Sequence, residues 1–212
     1  GSEMCIRDRW MAKLSVPALK ITRHNGTDFP GTLALKLCPD FLKYVGRPKT
    51  IIAVTGTNGK TTVSNLLADT LEKAGHRVLI NRAGSNVASG IATALLKGCD
   101  LAGRVKNYDM AVLEVDERSS VRVYPYITPD YIAVTNLFRD SIMRNAHAEF
   151  IADIISRSVP ASSRLVLNAD DLISCGLAPE NERVYFGIDR LPTDTVAVSY
   201  THLRAHETCA DL

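Results

Sequence analysis

Residues 51–62 restrict the fold most, because an apolar run ends there in a short turn that opens into a helical pattern. The run reads IIAV and the turn reads TGTNGKTT. A continuous apolar run of this length is typical of a strand buried on both faces of a parallel sheet. We therefore predict a strand, a tight turn and a helix from Lys60 to Ala74, ended by Gly75. Its expected buried stripe includes Val63, Leu66, Leu67 and Leu71.

The turn has the composition of an anion-binding loop, and we expect its backbone N–H groups to be free to point inward. Gly56 and Gly59 permit positive φ values, the helix N-terminus adds partial positive charge, and Lys60 adds a full charge. Val54 replaces the first glycine of the strict Walker pattern, so the loop is a variant. The alternative is an ordinary turn with a surface lysine. The predicted phosphate-binding residues are Gly56, Thr57, Asn58, Gly59, Lys60, Thr61 and Thr62.

Five further strand patterns follow the loop, and helical patterns separate several of them. The strand patterns span residues 77–81, 109–117, 130–138, 164–167 and 183–187. Helical patterns cover residues 87–96 and 148–155. Strands that alternate with helices form βαβ units. We predict an α/β fold of the P-loop type, a mostly parallel sheet with helices on both faces.

Polar residues at the ends of these strands are the next candidates, because open α/β folds bind ligands at the carboxyl edge of the sheet. Glu114 would bind Mg²⁺ directly or through water together with Thr61, which stands at the usual P-loop hydroxyl position. The alternative is a solvated strand end without a ligand, which the following Asp116 and Glu117 would fit. Asn168 and Asp170 follow the fifth strand, where they either neighbour a nucleotide or cap a turn.

Charge and hydropathy exclude several function classes. The chain has 212 residues, with 25 basic and 23 acidic side chains that nearly cancel, so charge does not favour a nucleic-acid partner. No apolar run reaches the length of about eighteen residues that a transmembrane helix needs. No secretory signal pattern is recognisable either, and we expect a cytoplasmic protein.

The two ends of the chain read differently from its middle. Residues 1–9 are interpreted as a tag remnant and a non-native leader, and residues 198–212 as a non-native tail, because neither continues the apolar periodicity of the core. Residues 10–48 form a short lead segment that is expected to pack on the main domain, residues 49–197. The natural protein is expected to have been cut short near Val196.

Five segments taken together resemble the central ATPase domain of the Mur ligase family. They read GTNGKTT, NRAGSN, LEVDE, TNLFRD and NADD, and the resemblance covers roughly residues 26–195. GTNGKTT points to the family as a whole. The NRAGSN and TNLFRD segments narrow the resemblance to its MurT-like branch.

The resemblance implies an ATP-dependent carbon–nitrogen ligase of peptidoglycan biosynthesis. In that family, ATP activates a substrate carboxylate as an acyl phosphate, which an amine or ammonia then attacks. For MurT-like members, the carboxylate is the α-carboxylate of D-glutamate in the stem peptide of lipid II, a lipid-linked peptidoglycan precursor. The ammonia comes from a GatD-like glutamine amidotransferase partner. ATP and Mg²⁺ are the implied cofactors. Because the implied substrate is lipid-linked, the resemblance also implies a peripheral location at the inner face of the membrane.

The resemblance also implies roles for individual residues. Lys60 and Glu114 would be catalytic, with Lys60 on the β- and γ-phosphates, while Thr61 and Glu114 would hold Mg²⁺. The substrate side would be formed by Asn81, Arg82, Ser85, Asn86, Asn136, Arg139 and Asp140.

Departures from the family pattern keep other functions open. Ser141 stands where a His or Gln is expected, and Met143 stands where an Asp is common. Many Mur ligases carry a carbamylated lysine further along the chain, but no lysine follows Lys106 here. The second metal ion of those ligases is therefore not expected. The zinc ribbon and the closing C-terminal domain of the family are also expected to be absent, which leaves a non-catalytic ATP-binding module as an alternative. Another Mur-family amino-acid ligase is a further alternative. A GTPase or small-molecule kinase is disfavoured because the chain has no N-K-x-D guanine motif.

Overall fold

A six-stranded parallel sheet forms the centre of the computed structural model, which describes residues 28–81, 85–100, 103–137 and 148–188. In the order β2-β3-β1-β4-β5-β6, each strand pairs in parallel with its neighbour. The strands are β1 (Thr50–Thr55), β2 (Val78–Ile80), β3 (Met110–Glu114), β4 (Tyr131–Val134), β5 (Arg164–Asn168) and β6 (Arg183–Phe186). The predicted parallel sheet is confirmed, although β3 and β4 end several residues earlier than their apolar patterns suggested.

Helices connect most of the strands. They are α1 (Phe29–Leu37), α2 (Phe41–Tyr44), α3 (Lys60–Lys73), α4 (Ala88–Gly98), α5 (Ser120–Val123), α6 (Ala148–Ser158) and α7 (Leu172–Cys175). The helix after the glycine-containing turn was predicted to within one residue, and Gly75 follows it with a φ of 93°. The one-turn helices α5 and α7 were not predicted, because four residues are too few to show a helical period. Among the described residues, no helix is both long and apolar enough to cross a membrane.

Strand side chains alternate between two apolar layers, one on each face of the sheet. In β1, Ile51 and Ala53 belong to the larger layer, which also holds apolar residues of α1, α4 and α6. Ile52 and Val54 belong to the smaller layer, which α3 covers through Ala68 and its neighbours. The period of two residues in a strand accounts for this division. Helices on both faces of the sheet, as predicted, are therefore confirmed.

The buried face of α3 differs from the predicted stripe at one position. Ser64 and Ala68 are buried, whereas Leu66 is 65% exposed. Leu66 is two residues from each of them, and a helix turns about 100° per residue, so its side chain points to the opposite side. The predicted stripe was wrong at Leu66 because the sheet contacts a face centred on small residues.

The described part of the lead segment packs closely on the main domain. The Gly31 N–H in α1 donates a 2.9 Å hydrogen bond to Thr93 Oγ1 in α4. A Cβ atom at Gly31 would lie only 1.9 Å from the Ser89 carbonyl oxygen, so the close approach of the two helices requires glycine there. Ala34 and Phe41 also enter the larger apolar layer.

Candidate functional site

The turn between β1 and α3 leaves space at the helix N-terminus. Gly59 is the N-cap residue with a φ of 80°, and no described side chain caps the helix there. A Cβ atom at Gly59 would meet nothing within 4 Å. Gly56 has a φ of 126°, and a Cβ atom on it would lie 2.3 Å from Thr135 Oγ1. The first glycine thus fits the loop against the residues that follow β4, and the second leaves the helix end open for an anion.

The residues after β4 hold this loop in place. Asn136 Oδ1 accepts the Asn58 N–H at 3.0 Å, and Asn136 Nδ2 donates to the Asn58 carbonyl oxygen at 3.1 Å. The Thr57 N–H donates to the Asn136 carbonyl oxygen at 2.8 Å, and Thr135 Oγ1 donates to the Asn58 carbonyl oxygen at 2.7 Å. The prediction that the loop N–H groups are free is therefore wrong for Thr57 and Asn58. An anion would depend on the N–H groups of the first helical turn, which have no intrahelical acceptor.

Lys60 points back into the loop and contacts a buried carboxylate. Its Nζ donates to the carbonyl oxygens of Gly56 and Thr57, the latter at 3.1 Å, and to Glu117 Oε1 at 3.4 Å. The two side chains of this ion pair are only 12% and 8% exposed. The alternative of a solvated strand end is therefore wrong for Glu117.

The environment of Glu117 disfavours its charge. Burial raises the pKa of Glu117 and the nearby Asp116 adds to the rise, whereas a backbone hydrogen bond and the Lys60 ammonium act in the opposite direction. The sequence placed Glu117 at the correct sheet edge. Its burial depends on the early end of β3 at Glu114 and on the turn into α5, which the apolar pattern did not show.

Thr61 and Glu114 meet beside the loop. The register of β1 with β3 pairs Val54 with Glu114, and Thr61 Oγ1 lies 2.9 Å from Glu114 Oε2. Asn86 Nδ2 donates to Glu114 Oε1 at 3.2 Å. A hydroxyl and a carboxylate are oxygen ligands of the kind that Mg²⁺ prefers, with phosphates and water completing its shell. In the described ranges, no group of three His, Cys, Asp or Glu residues could hold a metal.

Asn81 organises the carboxyl end of β3. Its Oδ1 accepts the Glu114 N–H at 2.8 Å, and its Nδ2 donates to the carbonyl oxygens of Glu114 at 2.9 Å and Ser85 at 3.0 Å. Asn81 is only 7% exposed. These contacts give Asn81 a structural role that its strand-end position did not reveal. Asn86 contacts Glu114, and the Ser85 carbonyl oxygen contacts Asn81, whereas Arg82 is outside the described residues. The substrate-side role of these residues stays a prediction.

Asn168 and Asp170 make the contacts of a turn cap. Asn168 Nδ2 donates to the Thr135 carbonyl oxygen at 2.9 Å, and Asn168 Oδ1 accepts the Asp170 N–H at 3.0 Å. Asp170 Oδ2 accepts the Ile188 N–H at 2.8 Å. The turn-capping alternative therefore accounts for the contacts of both side chains. Predicted site residues Arg139 and Asp140, and also Ser141 and Met143, lie outside the described residues.

Comparison with known proteins assigns the family. Residues 54–207 match the Mur ligase middle domain. The chain belongs to the Mur ligase family. The resemblance to this family that the five sequence segments indicated is thereby confirmed. The family assignment also agrees with a parallel sheet whose first strand leads into a glycine-containing loop.

Curated relatives of this Mur ligase family chain include MurT subunits. It is 34% identical over 181 residues to the MurT subunit of the glutamine-hydrolyzing lipid II isoglutaminyl synthase from Staphylococcus aureus (strain COL), covering 84% of this chain and 40% of the relative. The corresponding subunit from Streptococcus pneumoniae (strain ATCC BAA-255 / R6) is 35% identical over 169 residues, covering 78% of this chain and 37% of the relative. The chain thus spans about two fifths of the length of the curated relatives it matches.

Solved structures of the family support the fold. A crystal structure of MurF from Acinetobacter baumannii superposes with a TM-score of 0.59 at 20% identity, covering 73% of this chain and 35% of that chain. At this identity the likeness concerns the fold alone. It agrees with the parallel six-stranded sheet and helices described above.

Proposed function

We propose that this domain binds ATP with Mg²⁺ and forms the nucleotide site of an amide ligase that acts on a peptidoglycan precursor. The observation that supports the proposal most directly is the meeting of Lys60, Thr61 and Glu114 at the N-terminus of α3. Phosphoryl transfer depends mainly on positioning and on neutralising charge. One ammonium group, one helix N-terminus and two oxygen ligands for a divalent cation fit that need.

Each residue of the proposed nucleotide site has a separate role. Lys60 would balance the charge of the β- and γ-phosphates, and the backbone N–H groups of the first turn of α3 would hold phosphate oxygens. Thr61 and Glu114 would hold Mg²⁺, which supplies further charge neutralisation when bound. Asn136 would keep the loop in the conformation that receives the phosphates, through its contacts with Asn58.

The proposed reaction activates a carboxylate and then converts it to an amide. A carboxylate oxygen attacks the γ-phosphorus of ATP, the bond from that phosphorus to the bridging oxygen breaks, and ADP leaves. Ammonia then attacks the acyl carbon, inorganic phosphate leaves and the nitrogen loses a proton. We propose the D-glutamate α-carboxylate of the lipid II stem peptide as substrate and a GatD-like glutamine amidotransferase as the ammonia source.

The similarity to MurT subunits of a glutamine-hydrolyzing lipid II isoglutaminyl synthase supports this choice of substrate and partner. The substrate would occupy the edge near Ser85 and Asn86, beside Glu114. A lipid-linked substrate would bring a cytoplasmic protein to the inner face of the membrane.

Binding of a non-hydrolysable ATP analogue with Mg²⁺, measured by calorimetry, tests the nucleotide site. Lys60→Ala should weaken binding by about 2 kcal/mol or more, the scale of a truncated buried charge contact. Lys73→Ala removes the same charge from the exposed far end of α3 and serves as the matched control. Equal affinity of the parent and Lys60→Ala would contradict the proposal.

A second assay tests the reaction. The chain is incubated with lipid II, ATP, glutamine and the partner subunit, and the stem peptide is analysed by mass spectrometry for conversion of D-glutamate to isoglutamine. Amidation that depends on all four components would support the ligase. Nucleotide binding without any amidated product would instead favour the non-catalytic ATP-binding module.

A further inference from the structure

The Lys60 ammonium directs its hydrogen bonds at the protein itself. A lysine ammonium has three N–H donors. Lys60 Nζ has three acceptors in the structure: the carbonyl oxygens of Gly56 and Thr57 and the carboxylate of Glu117. A phosphate oxygen can therefore accept from Lys60 only if one of these contacts is exchanged.

Glu117 is the acceptor that a phosphate oxygen would displace from Lys60. Its contact with Lys60, at 3.4 Å, is the longest of the three. The other two acceptors belong to the loop, which Thr135 and Asn136 hold in place. The carboxylate also carries the same sign of charge as a phosphate, so the two groups compete for one cation.

The backbone of Glu117 is held by contacts that do not involve Lys60. Its carbonyl oxygen accepts a 2.6 Å hydrogen bond from Ser120 Oγ, and Ser158 Oγ in α6 donates to that same hydroxyl at 2.8 Å. Glu117 is only 6% exposed, so water screens its charge poorly. The turn therefore fixes the Glu117 backbone close to Lys60, and the buried carboxylate reaches the ammonium group from there.

We propose that Glu117 is a positioning residue that serves as the built-in counter-ion of Lys60 and competes with the phosphates of a nucleotide for its ammonium group. The proposal rests on the proposed nucleotide site. In the empty site, Glu117 keeps Lys60 in the loop and balances its charge. On binding, the nucleotide must displace Glu117 from Lys60, which lowers its affinity.

Calorimetric titration of the full chain with ADP and Mg²⁺ tests this competition. Glu117→Gln removes the negative charge and nearly preserves the shape of the side chain, so ADP should bind about tenfold more tightly. Glu117→Ala provides a second variant that lacks the carboxylate and should also bind more tightly. Asp116→Asn removes a charge from the same turn, where the carboxylate accepts the Arg118 N–H, and its affinity should stay within about twofold of the parent.

A double-mutant cycle separates this role from a structural one. In the Lys60→Ala background, Glu117→Gln should no longer tighten ADP binding, because the competition requires the ammonium group. The proposal is overturned if Glu117→Gln binds ADP no more tightly than the parent, or if its gain persists without Lys60. A parent chain that binds no ADP would instead contradict the nucleotide site itself.

Discussion

Thr61 Oγ1 donates a 2.9 Å hydrogen bond to Glu114 Oε2 and thereby joins the first turn of α3 to the end of β3. The two residues are 53 positions apart in the chain. They meet because β1 and β3 are neighbours, with Val54 opposite Glu114 in the register. This contact joins the two residues that were predicted from the sequence to bind Mg²⁺.

The first prediction concerns the metal dependence of nucleotide binding. Thr61→Val and Glu114→Gln each remove an oxygen ligand or its charge, so the gain in affinity that Mg²⁺ confers on an ATP analogue should fall at least about tenfold. Calorimetry with Mg²⁺ and with a chelator measures that gain. Thr61→Ser keeps the hydroxyl and should retain most of it. An undiminished Mg²⁺ effect in Glu114→Gln would remove Glu114 from the metal site.

The second prediction concerns the support of the loop by Asn136. Asn136→Ala removes two hydrogen bonds to the Asn58 backbone, and the free energy of unfolding should fall by about 1–2 kcal/mol in urea denaturation. Asn58→Ala is the matched control, because it leaves the backbone groups that Asn136 contacts. Its free energy of unfolding should change by less than about 0.5 kcal/mol. Equal losses in both variants would show that Asn136 does not support the loop through these bonds.

The third prediction compares the two loop glycines. Gly56→Ala would place a Cβ atom 2.3 Å from Thr135 Oγ1 at a φ of 126°. Its free energy of unfolding should fall by more than about 2 kcal/mol because strain and overlap add. Gly59→Ala meets no atom within 4 Å, so it should lose only the conformational cost of about 1–2 kcal/mol. Urea denaturation measures both losses, and a larger loss at Gly59 would contradict the described loop.

The fourth prediction concerns the pH dependence of stability. Burial raises the pKa of Glu117 above its value in the unfolded chain. The folded state therefore holds this proton more tightly, so its contribution to stability is complete below the unfolded pKa of about 4.3 and is lost as pH rises through the folded pKa.

Glu117→Gln has no such proton to lose. The free energy of unfolding of Glu117→Gln minus that of the parent should therefore rise as pH increases from about 4 to about 8. Urea denaturation across that range measures the difference, with Asp116→Asn as a control for general charge effects. A difference that falls with pH would mean that the Lys60 pair, rather than burial, determines the protonation of Glu117.

The sequence predicted the fold because strands and helices depend on local patterns, and it predicted that Thr61 and Glu114 lie at the same sheet edge. Apolar runs determined where strands form, and the turn at residues 55–62 placed the start of α3 correctly. The carboxyl-edge rule for parallel strands brought Lys60, Thr61 and Glu114 together, and the structure shows Thr61 and Glu114 in contact.

Only the tertiary structure determined the partners of the individual polar groups. The pairing of Lys60 with Glu117 and of Asn58 with Asn136 joins residues 57 and 78 positions apart. Such contacts depend on strand register and on where β3 ends, which a one-dimensional pattern does not encode. For the same reason the sequence left the burial of Glu117 open and misassigned Leu66, since burial is a property of the packed sheet and helices rather than of the residue type.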